Sequence, residues 1–224
     1  MESYGLWRRV RTKRRETALW LAANDGHKAV VEALLAVGAD PAAEDNTGAS
    51  PLTQAASGGR ADIIRLMAKA RPEAFRSKSA ALGLRRAALN GHWRAVGALL
   101  EGGVPPDARP RGLPTALFAA AISDPRCVAE LLAAGADHNA RDADGRTALH
   151  WAVRANQDES SRLLLVCGAD RAARDRNGRI AADEAWTDSA RQLLRPLDQQ
   201  AAGEDEDDED EASRRSPSKK CAVS

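Results

Sequence analysis

At 224 residues, with 43% apolar but only 4% aromatic side chains, the chain suits stacked alanine- and leucine-rich helices better than one large globular core. Its formal net charge of +1 conceals a basic front end, Arg8-Arg9-Val10-Arg11-Thr12-Lys13-Arg14-Arg15, and an uninterrupted acidic run from Glu204 to Glu211. The three cysteines, Cys127, Cys167 and Cys221, are widely spaced, which suggests neither a disulfide framework nor a zinc site and points to a reducing compartment. No apolar run is long enough to span a bilayer and the N-terminus lacks an apolar signal region, so a cytoplasmic chain is expected.

In chain order, residues 1–14 form a polar, basic segment. Its Leu6, Trp7 and Val10 can cap the apolar outer face of whatever follows, while a nuclear-import or phosphate-binding arm is the other use of such a basic run. From residue 15 to residue 197 the chain repeats itself. Thr17-Ala18-Leu19-Trp20-Leu21-Ala22-Ala23 returns as Ser50-Pro51-Leu52-Thr53-Gln54-Ala55-Ala56, as Leu82-Gly83-Leu84-Arg85-Arg86-Ala87-Ala88, and as Thr115-Ala116-Leu117-Phe118-Ala119-Ala120-Ala121. It comes back again as Thr147-Ala148-Leu149-His150-Trp151-Ala152-Val153, with a frayed sixth copy at Ile180; the starts lie 33, 32, 33, 32 and 33 residues apart.

The most regular unit is Arg141 to Asp170. Asp142 and Gly145 suit a tight turn, Thr147 a helix start, and Ala148, Leu149, Ala152 and Val153 an apolar helix face. Asn156-Gln157 breaks that helix. Asp158 is expected to cap a second one with Leu163, Leu164 and Leu165 facing inward, and Gly168 to end it in the left-handed conformation. Other units depart from this pattern. The second ends in Arg71-Pro72-Glu73 where the first has Gly38-Ala39-Asp40, and Arg76-Ser77-Lys78-Ser79 lacks turn residues. An irregular joint is therefore expected, with amides over 71–81 exchanging faster than those over 135–146. The third unit leaves through Val104-Pro105-Pro106. The fourth has Ser123-Asp124-Pro125 at its corner, with Pro125 placed to start a helix. In the fifth, Ser160 and Ser161 replace Val30 and Val31, which predicts looser docking, and the sixth is polar through Asp183, Glu184, Thr187 and Asp188, as the end of a stack should be.

This period, the Thr-Ala-Leu-His start at Thr147 and the Gly-Ala-Asp stops at Gly38, Gly135 and Gly168 resemble the ankyrin repeat family. The resemblance implies an all-α solenoid of about six helix-turn-helix repeats joined by β-turn loops. It also implies a protein-binding role without catalysis, metal or cofactor. His27, His92 and His138 as well as His150 are too far apart to share a metal, and Cys127 and Cys167 read as small buried residues on second helices. The family's contact positions fall on Asn24, Asp25, Asn46, Thr47, Ala49, Ser57, Leu89, Asn90, Asp144, Arg146, Arg154, Arg176 and Arg179. The arginines among them suit an acidic protein partner, and nucleic acid is not favoured.

Residues 198–224 have almost nothing apolar to bury and read as a disordered acidic and basic tail. It ends Cys221-Ala222-Val223-Ser224, which resembles a C-a-a-X box of the kind farnesyltransferase modifies, with Lys219 and Lys220 upstream. Ser213, Ser216 and Ser218 lie in the same basic stretch as possible phosphorylation sites. The sequence thus reads as an ankyrin-type adaptor tethered to a membrane surface by a farnesyl chain. The alternative is a soluble cytosolic or nuclear regulator that inhibits a partner enzyme, with Cys221 unmodified.

Overall fold

The computed structural model describes residues 11–110 and 112–195. The expected cap at Leu6, Trp7 and Val10, the acidic run, Ser213, Ser216, Ser218 and Cys221 lie outside them. Among the described residues there is no strand. Helix pairs follow one another: α1 (Ala18–Asp25) with α2 (Lys28–Ala36), α3 (Pro51–Ser57) with α4 (Ala61–Ala70), and α5 (Lys78–Leu89) with α6 (Trp93–Glu101). Then come α7 (Ala116–Ala121) with α8 (Pro125–Ala133) and α9 (Ala148–Arg154) with α10 (Asp158–Val166). A single 3-10 turn, Ala181–Glu184, stands in for the last first helix before α11 (Asp188–Leu194). First helices pack side by side in one layer and second helices in another, with the core between them.

Local chemistry sets the starts. Thr17 Oγ1 accepts the Trp20 N–H at 3.1 Å, Ser50 Oγ accepts that of Thr53 at 3.3 Å, and Pro51 occupies the first helical position, where a missing N–H costs nothing. The turns before them are held by one aspartate each. Asp45 Oδ1 accepts the N–H groups of Thr47 and Ala49, Asp142 Oδ1 those of Asp144 and Arg146, and Asp175 Oδ1 those of Asn177 and Arg179, all at 2.7–3.0 Å. His150 joins two repeats: its Nδ1 accepts the Thr147 N–H at 3.2 Å, so the ring proton is on Nε2, 3.3 Å from the Arg179 carbonyl that accepts it. Gly168, at φ 92, closes the second helix of that unit in the left-handed region as expected.

The joint between the second and third repeats is irregular as expected, but it is filled. Pro72–Arg76 forms a 3-10 turn that drives the Phe75 ring into the core, fully buried. Gly102 makes room for it, since a Cβ there would sit 2.3 Å from Phe75 Cδ1. Ser77 Oγ then accepts the Ala80 N–H at 3.2 Å, and α5 starts at Lys78, four residues before the repeat register at Leu82. Lacking Asp and Gly, the segment had no turn to form and continued the helix backwards instead.

Three other expectations are corrected. Asp158 does not cap α10 but is its first residue, and its carboxylate accepts the Ser189 Oγ–H at 2.6 Å, tying the fifth repeat to the sixth. The three leucines face inward as expected: Leu164 is fully buried, and Leu163 and Leu165, a hundred degrees to either side, are half-buried against the core. Ser160 and Ser161 are buried rather than loosely docked; Ser161 Oγ donates to the Gln157 carbonyl at 2.9 Å, and Ser160 Oγ has no partner. Cys127 is buried, but Cys167 is exposed, because it follows the last turn of α10 beside the outward-facing Val166.

Because Phe75 substitutes for a missing turn, Phe75→Ala should cost about 3–5 kcal/mol. Urea unfolding checks this, and hydrogen exchange over 71–81 should accelerate in the variant far more than exchange over 135–146. A loss below about 1 kcal/mol would mean that the ring does not hold this joint.

Candidate protein-binding surface

The residues expected to make contacts fall into two rows. One runs along the C-terminal ends of the first helices: Asn24 and Asp25 end α1, Ser57 ends α3, Leu89 ends α5 with Asn90 following, and Arg154 ends α9. Asn24, Asp25, Leu89, Asn90 and Arg154 are exposed and Ser57 is half-buried. Links between repeats keep this row in register. Arg60 Nη2 donates to the Asn24 carbonyl at 2.7 Å, Asn90 Nδ2 to the Ser57 carbonyl at 2.9 Å, and Ser123 Oγ to the Ala88 carbonyl.

The second row is the turn tips, where Asn46, Thr47, Asp144 and Arg176 are exposed. Backbone bonds join neighbouring tips, from the Asn46 N–H to the Arg14 carbonyl at 3.0 Å and from the Arg176 N–H to the Asp144 carbonyl at 2.9 Å. Ala49 does not belong here. It is buried, because its N–H points back to Asp45 and its methyl inward.

The arginine-rich part of the second row is largely committed internally. Arg179 Nη2 lies 2.9 Å from Asp175 Oδ2 and 3.1 Å from Glu184 Oε1, and Arg146 lies 3.8 Å from Asp175 and 3.7 Å from Glu184. Arg146 retains only 16% side-chain exposure, and the Asp175 side chain has none. Two guanidinium groups and two carboxylates thus form a cross-link between the fifth and sixth repeats. Arg141 and Arg174 are also engaged, Arg141 with the Arg174 and Gly145 carbonyls and Arg174 with the Gly178 carbonyl at 2.7 Å. None of the described residues pairs with the side chains of Arg154 or Arg176.

Sequence reasoning missed Trp186. It projects from the polar sixth repeat with 79% of its surface exposed, at the rim of a hollow of about 430 Å3 lined by Arg154, Arg179, Asp183, Glu184 and Arg191. An aromatic in an otherwise polar terminal repeat was the available signal, since tryptophan in such a setting has no core to enter.

Among the described residues no group of three or more His, Cys, Asp or Glu side chains is arranged to hold a metal. Burial pushes the Cys127 thiol up to about 12, so it is an inert core residue. No helix of the described residues is long and apolar enough to cross a membrane.

The cross-link has a pH signature. Burial pushes the Asp175 carboxyl up, but the Arg179 and Asn177 N–H groups and the Arg179 guanidinium outweigh it and hold the pKa down to about 2. Because the folded value lies below the unfolded value of about 3.9, this stabilisation is fully present above about pH 4 and is lost as pH falls towards 2. Asp175→Asn should therefore melt lower than wild type at neutral pH, and the two melting curves should converge between pH 4 and pH 2. Parallel pH dependences would mean that Asp175 is not an acid-labile tie.

The matching family model is that of ankyrin repeats, three copies, over residues 6–76 and 84–175. The chain is similar to the crystal structure of the human ASB11 ankyrin repeat domain, at 30% identity and TM-score 0.75, covering 83% of this chain and 84% of that one. It is also similar to the ankyrin repeat domain of Bcl-3, a member of the IkappaB protein family, at 26% identity and TM-score 0.72, covering 84% and 85%. A shorter stretch of 58 residues is 45% identical to the Caenorhabditis elegans ankyrin repeat and KH domain-containing protein mask-1, covering 26% of this chain and 2% of that protein. The helix pairs, the aspartate-held turns and these likenesses agree: the chain belongs to the ankyrin repeat family.

Proposed function

We propose that the protein is a non-enzymatic adaptor whose first-helix row receives an acidic segment of a partner protein, and that a farnesyl group on Cys221 tethers it to a membrane surface. The observation that carries the first half is Arg154. It is an exposed guanidinium with no partner among the described residues, beside an exposed Trp186, and these are two residue types that often dominate interface energies. Leu89 and Asn90 continue the row on the third repeat. Arg176 adds a second uncommitted cation on the tips, whereas Arg146 and Arg179 contribute position rather than free charge.

The tether rests on the last four residues together with Arg214, Arg215, Lys219 and Lys220. A single lipid chain holds a protein only marginally, so a second signal is needed, and each basic residue supplies up to about 1 kcal/mol near an anionic leaflet. A phosphate on Ser213, Ser216 or Ser218 adds about −1.5 to −2 charges to that cluster and weakens attachment. A specific likeness favours a second reading, that of a soluble regulator: the similarity to Bcl-3, a member of the IkappaB family.

Two measurements test these halves. Arg154→Glu combined with Trp186→Ala should reduce capture of a wild-type binding partner from cell extract at least about tenfold, a loss of about 1.4 kcal/mol or more, while leaving the melting temperature unchanged. Equal capture would remove the row from the binding surface. In eukaryotic cells the wild-type chain should gain the mass of one farnesyl group at Cys221 and partition in part to membranes. Cys221→Ser should be wholly soluble, with Ser216→Glu intermediate. C-terminal peptides that carry only unmodified Cys221 would favour the soluble regulator.

A further inference from the structure

The hollow at the end of the row exists because the sixth repeat is cut short. Its first helix is the four-residue 3-10 turn Ala181–Glu184, against seven residues in α9, so the C-terminal end of α9 has no neighbouring helix end to lie against. Earlier in the stack a carbonyl of the last two residues of α1, α3 and α5 is taken by a side chain of the following repeat. After α9 the corresponding link is displaced, from Thr187 Oγ1 to the Asn156 side chain at 3.1 Å, and Arg154 is passed over. The carboxylates lining the hollow are only partly engaged, since Glu184 Oε2 is buried without a partner and Asp183 is exposed. Asp183 Oδ2 accepts the Ile180 N–H at 2.9 Å, and Glu184 is held by Arg179 and Arg146. The Arg154 guanidinium and the Trp186 indole, both donors, have no partner among the described residues. The chain already pairs an indole with a carboxylate elsewhere, since Trp151 Nε1 donates to Asp142 Oδ2 at 2.9 Å.

We propose that the chain's own acidic run, Glu204 to Glu211, occupies this hollow and competes there with the acidic partner segment, on whose existence the proposal rests. Charge and reach both favour this occupant. Of 33 bases and 32 acids in the chain, four bases and nine acids lie beyond Arg195, which leaves residues 1–195 with a net surplus of six bases, opposite in sign to the acidic run. α11 is seven residues long, about 10 Å, so the point where the tail departs is close to the hollow. The nine residues from Arg195 to Glu204 have a relaxed span of roughly 17 Å and an extended limit of roughly 30 Å. A tether of that length presents its acids at an effective concentration in the millimolar range, so an intrinsically weak contact with Arg154 and Trp186 is populated in cis. A partner segment must displace it, which raises the affinity needed to engage the row.

The test compares the full chain with a full-length variant in which every acid from Glu204 to Glu211 becomes its amide, Glu→Gln and Asp→Asn. The reporter is the indole 1H–15N resonance of Trp186, identified by its loss in Trp186→Phe. At low ionic strength it should differ between the two chains, and the difference should vanish in about 1 M salt, where screening acts within about 3 Å. Arg154→Ala in the otherwise native chain should shift it towards the amide variant, and the Trp20 indole should not move. An octaglutamate peptide should bind the amide variant at least about tenfold more tightly than the native chain. Coincident Trp186 resonances at low salt would overturn the proposal, as would a difference that grows with protein concentration, which would put the acids in a second copy's hollow. Equal octaglutamate binding to both chains would remove the tail while leaving the acidic-partner reading intact, and binding to neither would remove both.

Discussion

Everything in this molecule depends on one constraint: no repeat has an interior of its own. The third residue of each second helix shows it directly. Ile63, Ala95, Cys127, Ser160 and Ala190 are all buried there, whereas Val30, at the same position in the first described repeat, keeps 49% of its surface exposed. The side chain did not decide this, since a serine is buried and a valine is not. The neighbour did, because this position is covered by the preceding repeat and α2 has no described helix before it. Ala18 repeats the lesson on the first helices, exposed where Pro51, Gly83, Ala116, Ala148 and Ala181 are buried. Small residues dominate these positions because helices in one layer approach closely, and Phe75 is admitted only where Gly102 withdraws its own side chain.

The same dependence turns charge into architecture. Arginine is abundant at the turns, yet Arg11, Arg109 and Arg141 each donate to a carbonyl of the following turn, and Arg146 and Arg179 converge on Asp175 and Glu184. A planar guanidinium with several donors can satisfy a carboxylate and still reach a carbonyl, which a lysine ammonium on its flexible stem does less well. These groups hold the turn tips in register along the stack. The charge available to a partner is therefore smaller than the residue count implies.

The hollow beside Arg154 and Trp186 is a consequence of the shortened sixth repeat. The sixth repeat shortens its first helix to one turn carrying Asp183, which is exposed, and Glu184, whose side chain turns back onto Arg146 and Arg179. Shortening removes the helix end against which α9 would have packed, and it strands Trp186 and Arg154 at the rim of the resulting hollow. The shortened helix and the exposure of Arg154 and Trp186 are one structural event.

The repeat period, the all-helical pairing, the proline-started helices at Pro51 and Pro125, the left-handed stop at Gly168 and the irregularity after Arg71 were legible in the sequence. Each depends on local chemistry: a pyrrolidine ring, a missing Cβ, an aspartate two and four residues before the N–H groups it accepts. The sequence did not disclose which arginines are spent and which are free, that Ser160 is buried and Cys167 exposed, that Asp158 ties two repeats instead of capping a helix, or that Trp186 stands in the open. Those outcomes are settled by contacts between residues some thirty positions apart, where one repeat supplies or withholds the partner for a group in the next. Periodicity reports what a repeat is made of, but only the stack decides what covers it.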